Sequence, residues 1–303
     1  MSKVDKVLMA PQGPEFSAIV QGYWRMGEWG MDSQQHLSFL KSHIELGVTT
    51  VDHANVYGAG PSCEELFGNA LKLDPCARDQ IEIISKCGIA LVADDGKAVN
   101  HYDSTAAAIQ KSVETSLSRM AIESLDALLI HRPDWLMDVD VVAEAFSGLK
   151  QSGKVQHFGV SNFTSSQFDL LQSSLESPLV TNQIEINPIN LAATNDGTLD
   201  QLQQYRVRPM AWSCLAGGRV FTEQSEQMSR LNAALSEIAD DIGATSNDQV
   251  LYAWSMALPS KPIAIVGSGN IDRVRAAVDA LKLKLSREQW YRIWVAATGH
   301  RVP

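Results

Sequence analysis

Basic residues are scarce in this chain, its cysteines form no pairs, and no apolar run is long. The 25 lysines and arginines stand against 35 aspartates and glutamates, a formal net charge of −10. A nucleic-acid binder needs a basic footprint to displace counterions from phosphates, so nucleic acid is not an expected partner. Net charge says nothing about fold and leaves room for local basic sites. Cys63, Cys76, Cys87 and Cys214 are scattered, with no C-x-x-C pair. That spacing argues against a disulfide framework and against a metal site built from them. Reduced thiols in the cytoplasm are the expectation, with no bound metal. A membrane-spanning helix needs about 18 consecutive apolar residues, and none occur, so no membrane association is expected. The opening MSKVDKVLMAPQGPEF lacks the apolar core and cleavage pattern of a secretory signal.

Several catalytic signatures are missing as well. No G-x-S-x-G elbow marks a hydrolase nucleophile. His131 and His157 lack H-E-x-x-H spacing, and there is no Walker A loop. Gly267-Ser268-Gly269 is followed by Asp272 where a third glycine would be needed, so the Rossmann fingerprint is absent.

What remains is a regular alternation. Val4 to Met9, a Gly13/Pro14 turn, and Phe16 to Val20 read as a short hairpin or as the lead-in to a first strand. Further strand-like segments are 49–54, 81–87, 125–131, 155–161, 179–186, 208–213 and 263–267. Helix-like segments are 33–46, 63–73, 104–120, 139–151, 165–175, 198–205, 247–258 and 271–281, with a last one at about 287–297. In 33–46, Leu37, Leu40 and Ile44 share one face, Asp32 or Ser33 offers an N-cap, and Gly47 stops the helix. Eight strand–helix units predict an α/β fold, a (β/α)8 TIM barrel, rather than an open sheet. No Pro/Gly/Ser linker divides the 303 residues, so 1–303 is expected to form a single domain. The surplus length falls in the N-terminal hairpin, in a long segment after the seventh strand with an additional helix near 231–241, and in an additional C-terminal helix.

The strand ends carry the chemistry. Each apolar run closes on a small or polar residue: Gly22, Asp52, Lys86, His131, Ser161 with Asn162, Gln183, Trp212 with Ser213, and Gly267 with Ser268. In a parallel barrel these all reach the C-terminal rim, where barrel enzymes keep their active sites. Each has a structural alternative. Asp52 would serve as a loop cap, Lys86 as a snorkelling surface lysine, His131 as a satisfied structural histidine, Asn162 as a helix cap and Trp212 as core. Tyr57, on a Gly-rich loop, would ordinarily be an exposed aromatic. Together they form a proton-handling group. An ammonium beside a phenol, whose ordinary pKa is about 10, stabilises the phenolate and is expected to lower that pKa. A carboxylate keeps the lysine charged, and a histidine orients a substrate oxygen. Such a set suits proton delivery to a carbonyl oxygen while a hydride, which requires a cofactor, reaches its carbon.

These residues resemble the aldo-keto reductase family over almost the whole chain. The segments carrying the resemblance are VDHANVYG (51–58), SKCG (85–88), LLIHRPD (128–134), GVSNF (159–163), NQIEINP (182–188) and AWSCLAGG (211–218). Their order and spacing are highly specific, and the sequence is similar to the YdhF-like bacterial branch. The resemblance implies a (β/α)8 barrel whose bottom is closed by an N-terminal hairpin. It implies a tetrad of Asp52, Tyr57, Lys86 and His131, with Tyr57 the general acid in reduction. It further implies NADPH/NADP+ as cofactor, bound without a Rossmann fold. Ser161, Asn162 and Gln183 would hold the carboxamide, and Trp212, followed by Ser213, would stack on the nicotinamide. Leu215, Gly217 and Gly218 would line the pyrophosphate path. Ser268 and Arg273, beside Gly267, would take the 2′-phosphate, where arginine's planar fork suits a dianion. Gly22, Tyr23, Trp24 and Asp52 complete the expected cofactor set. Trp24, Trp29 and Trp135, with Tyr57 and His131, are candidates for the substrate pocket; scaffold packing is the alternative for the three tryptophans.

The chain also departs from its relatives. Ala276 and Ala277 stand where many have Glu and Asn against the adenine, and Gly267 replaces a frequent lysine. His53 is larger than the usual small residue. The short tail after Gly299 points to an open, permissive pocket. The expected function is NADPH-dependent reduction of small-molecule aldehydes or ketones by a monomer or weak homo-oligomer. The alternatives are a weakly catalytic or non-catalytic NADPH-binding regulatory protein on the same barrel and, more remotely, a barrel hydrolase or lyase.

Overall fold

A computed structural model describes residues 3–58, 60–92 and 98–303. Apolar runs such as LDALLI (Leu125–Ile130) are buried on both faces, as strands beneath a layer of helices must be. Eight parallel strands close on themselves: β3 (Ile19–Gly22), β4 (Thr50–Asp52), β5 (Glu82–Cys87), β8 (Leu125–Ile130), β9 (Val155–Ser161), β10 (Asn182–Glu185), β11 (Met210–Trp212) and β12 (Ile263–Val266), which pairs back to β3. The expected (β/α)8 barrel is the fold.

The hairpin and the first strand both form. β1 (Lys6–Leu8) pairs antiparallel with β2 (Glu15–Ser17), and β3 follows directly. Several fastenings of this hairpin lie at the start of barrel strands. Lys6 bonds Glu82, the Ser17 hydroxyl accepts from the backbone of Thr49 and Thr50, and Arg208 reaches the carbonyls of Leu8 and Met9. Met9 and Phe16 are fully buried there, so the hairpin closes the N-terminal end.

The crossover helices begin at the acceptors the sequence supplies. Asp32 and Gln35 form a capping box on α1 (Ser33–Glu45). Ser62 caps α2 (Cys63–Leu71), Thr105 caps α3 (Ala106–Met120), Asp138 caps α4 (Val139–Gln151) and Thr164 caps α5 (Ser165–Ser173). After β10 come α6 (Ala192–Asn195) and α7 (Thr198–Tyr205); after β11 come α8 (Arg219–Thr222), the additional helix α9 (Glu226–Ile242) and α10 (Asn247–Met256). α11 (Ile271–Ala280) follows β12, and α12 (Arg287–Thr298) packs on α9 and α10. Trp254 of α10 and Trp290 of α12 stack at 4.6 Å, each indole N–H donating to the other's carbonyl at 3.1 Å.

The sequence pattern missed the one-turn helices α6 and α8. It also missed a ribbon of β6 (Ile89–Ala90) and β7 (His101–Tyr102) above β5. Elements of two to four residues are too short to show a period.

Candidate active site

Strand register fixes which side chains face the barrel interior. Ser85 of β5 points outward, its hydroxyl bonding Glu64 of α2 at 2.7 Å. Alternation therefore turns Lys86 inward. Gly22 of β3 lies beside Asp52 of β4 in the ladder, and a Cβ there would come within 2.8 Å of Ile265 Cγ2. Tyr57 reaches the same point from the β4–α2 loop. The loop is held by Arg119 donating to the Asn55 carbonyl at 2.8 Å and by Cys63 N–H donating to the Tyr57 carbonyl at 2.9 Å. Gly58 makes the turn at φ +88°, where a Cβ would meet the Pro61 carbonyl at 2.9 Å.

The result is one hydrogen-bonded chain. The Lys86 ammonium, fully buried, donates to Asp52 Oδ2 at 2.8 Å, to the His53 carbonyl at 2.8 Å and to the Tyr57 hydroxyl oxygen at 3.0 Å. All three of its N–H groups are used. Burial opposes its charge, but Asp52 and Tyr57 together hold its pKa above the ordinary lysine value. His131 stands edge-on to the Tyr57 ring at 5.7 Å between centres. Burial, with Lys86 and Arg132 nearby, pushes the His131 imidazole down to about 2, so it is neutral.

One expectation needs correction. Lys86 does favour the phenolate of Tyr57, yet the net shift of Tyr57 is upward, because burial outweighs the ammonium.

The remaining expected site residues divide by geometry. Asn162, at φ +60°, donates to Ser161 Oγ at 2.8 Å and to the His131 carbonyl at 3.3 Å; its own carbonyl accepts the Trp212 indole N–H at 3.2 Å. It is not a helix cap; Thr164 takes that role for α5. Ser161 donates to the Gln183 carbonyl at 2.8 Å, and Gln183 Nε2 donates to Asp52 Oδ1 at 2.7 Å. Ser213 turns at φ +52°, its carbonyl accepting from Asn187, and Leu215 is half-buried just beyond. At Gly217 and Gly218, both with positive φ, and at Gly267, an added Cβ would meet nothing within 4 Å. These backbones face open space. Ser268 accepts from Asn270 N–H, and Arg273 stands exposed in the first turn of α11. Left-handed glycines and a helix N-terminus suit an anionic ligand lying across the ends of β11 and β12.

The aromatic candidates separate too. The Tyr23 ring is turned away from the rim and fully buried, its hydroxyl 2.9 Å from His43 Nε2, so only its backbone is open to a ligand. Trp29 packs on Tyr23, on Phe39 and beneath Gly269, which is the scaffold alternative. Trp24 and Trp135 are exposed, with Trp24 6.3 Å from Tyr57 and Trp135 6.2 Å from Tyr102, ring to ring. Sequence reasoning did not single out Arg132, whose guanidinium lies 5.9 Å from the Trp212 ring centre. Its position directly after His131 was the only signal.

A closed parallel barrel with a lysine–carboxylate–tyrosine chain at its C-terminal rim defines a class of barrel oxidoreductase. Residues 18–296 match the model of the aldo/keto reductase family, and the chain belongs to that family. It is 56% identical over 300 residues to oxidoreductase YdhF of Escherichia coli (strain K12), covering 99% of this chain and 100% of the relative. It is 40% identical to a 6-dehydroglucose reductase of Agrobacterium fabrum, covering 95% of this chain and 96% of that one. Among solved structures, it superposes on the thermostable aldo-keto reductase Tm1743, in complex with the inhibitor epalrestat, with a TM-score of 0.80. The identity there is 26%, covering 96% of this chain and 99% of that chain. Among the described residues, no helix is long and apolar enough to cross a membrane.

Proposed function

We propose that this protein reduces aldehyde and ketone carbonyls to alcohols with NADPH, in the cytoplasm. In this reading, residues 1–303 act as a single domain, a monomer or weak homo-oligomer. The observation that carries it is the Asp52–Lys86–Tyr57 chain beside His131. An ammonium has no acceptor, so the Tyr57 oxygen accepts from Lys86, and the phenolic proton is free to point into the mouth. Because burial keeps the Tyr57 pKa raised, the phenol holds that proton at neutral pH, as a general acid must. A carbonyl oxygen seated between Tyr57 and His131 takes the proton, and Lys86 stabilises the phenolate left behind. Neutral His131 donates a hydrogen bond to the same oxygen without competing to protonate it. The hydride for the carbonyl carbon would come from NADPH when it is bound. The carbonyl gains one hydride and one proton and becomes an alcohol.

The open glycine backbones after β11 and β12 and the exposed Arg273 suit this cofactor. Ser161, Asn162 and Gln183 would hold the carboxamide, Trp212 would stack on the ring, and Leu215, Gly217 and Gly218 would follow the pyrophosphate. Ser268 and Arg273 would meet the 2′-phosphate at the α11 N-terminus. The reductase name of the Agrobacterium relative agrees in reaction type.

The test is Tyr57→Phe, assayed with NADPH across a panel of carbonyl substrates. General acid catalysis is worth about 10²- to 10⁴-fold, so kcat should fall by at least the lower figure. An almost unchanged kcat would overturn the role of Tyr57. Tight NADPH binding by the unaltered protein with no turnover of any carbonyl would favour the regulatory reading instead.

A further inference from the structure

Arg132 lies in a loop that the fold holds in place. His131 N–H donates to the Cys87 carbonyl at 2.8 Å. The Asp134 carboxylate accepts from Ser104 N–H at 3.1 Å, from the Ser104 hydroxyl at 2.7 Å and from Leu136 N–H at 2.9 Å. Pro133 fixes the backbone between them. The half-buried guanidinium of Arg132 is carried over the Trp212 ring, at the mouth above Tyr57 and His131. Its charge is felt by both, favouring the phenolate of Tyr57 and opposing protonation of His131.

Among the described residues, no carboxylate lies within 4.0 Å of this guanidinium and nothing accepts a hydrogen bond from it. The carboxylates on hand are committed elsewhere. Asp134 is held by Ser104 and Leu136, Asp52 by Lys86 and Gln183, and Glu185 by Asn187 and Asn190. Arginine's five N–H donors form a fork suited to two oxygens of one anion, and a half-buried charge without a counterion is costly. The phosphates of the proposed cofactor do not supply that counterion. They would lie past Trp212, along Leu215, Gly217 and Gly218 and at the start of α11, whereas the Arg132 guanidinium lies over the Trp212 ring itself.

We propose that Arg132 recognises the substrate: it pairs with a carboxylate or similar oxyanion carried by the aldehyde or ketone at the end away from the reacting carbonyl. This rests on the carbonyl-reductase reading above. Exposed Trp24 and the Tyr102–Trp135 pair stand at the mouth to cover the apolar body between the two ends. The preferred substrate class is therefore the oxo-acid, and the neutral aldehyde of equal size is the poorer one.

The probes are 3- and 4-carboxybenzaldehyde, each against the matching formylbenzamide, its neutral isostere. With the unaltered enzyme and NADPH, at least one acid should exceed its amide in kcat/KM by about tenfold or more, the scale of one charge-assisted pair. Arg132→Met should bring that ratio close to one, chiefly through KM of the acid, and Arg132→Lys should restore part of it. Raising salt should narrow the ratio in the unaltered enzyme. No preference in the unaltered enzyme, or the same ratio in Arg132→Met, would overturn the proposal. Calorimetry with 3- and 4-(hydroxymethyl)benzoate in the presence of NADP+ separates the two readings. Binding that depends on Arg132 without turnover of any aldehyde would overturn the reductase reading alone; binding indifferent to Arg132 would overturn the recognition role.

Discussion

The side-chain amide of Gln183 donates to Asp52 Oδ1 at 2.7 Å, and the two residues sit on strands four apart in an eight-stranded barrel. The bond spans the barrel interior. With Lys86 on Oδ2, both oxygens of this buried carboxylate are satisfied. Gln183→Leu would leave Oδ1 without a donor. A hydrogen bond to a charged group is worth about 1.5–3 kcal/mol, and urea unfolding should show a loss of that order. An undiminished midpoint would mean that Asp52 does not need Gln183.

The Asp52–Lys86 pair is buried on both sides, with side-chain exposures of 5% and 0%. Removing one partner leaves the other charge alone, which typically costs about 3–5 kcal/mol. Lys86→Met should be destabilised on that scale. The double variant Asp52→Leu/Lys86→Met should be more stable than Lys86→Met, because no lone charge remains. Simple additivity of the two single losses would show that the pair is not coupled.

Arg273 offers its guanidinium at the N-terminus of α11 with its side chain exposed. Arg273→Ala should weaken NADPH binding by about ten- to hundredfold while changing NADH binding much less, since only NADPH carries the 2′-phosphate. Fluorescence titration with each cofactor decides it. Equal losses would sink the 2′-phosphate assignment.

His53 stacks on Tyr23 at 4.8 Å and meets the tilted Phe67 ring at 4.5 Å, with both ring nitrogens buried and unpartnered. Burial, with Lys86 adding to it, pushes its pKa down to about 3. The folded protein therefore keeps His53 neutral, while the unfolded chain takes up a proton below about pH 6.5. The stability from keeping it neutral is present above that pH. It is lost as pH falls, by about 1.4 kcal/mol per unit, until the folded group itself titrates. His53→Phe removes this loss. Relative to the unaltered protein, it should gain about 2 kcal/mol between pH 7.5 and pH 5 in urea unfolding. A pH-independent difference would show that His53 is not held neutral by the fold.

The strand–helix alternation and the rim positions were legible in the sequence. Val155–Ser161 and Val139–Gln151 run over the segments that periodicity marks, because each is long enough to show its period and is bounded by a turn or cap. Asp52, Lys86 and His131 were legible as the polar ends of apolar runs, since a parallel barrel brings every strand end to one rim. Three contacts were not legible. Tyr23 follows Gly22 at a strand end, yet its ring turns out to His43 and leaves the rim. Gln183 is expected to hold a cofactor carboxamide, and its tie to Asp52 across the barrel has no sequence signal. Arg132 meets the Trp212 ring, and the sequence marks it only by its place after His131.

The period of each element, its caps, and the set of chemical groups gathered at one end of the barrel are written in the order of residues. These follow from local rules: alternation in strands, apolar faces in helices, side-chain acceptors at helix starts. Which of those groups touch, and which way a proton equilibrium moves, is set by packing. Lys86 favours the Tyr57 phenolate, and the sequence shows both residues. The burial that outweighs Lys86 belongs to no single residue, because desolvation is set by everything packed around the site.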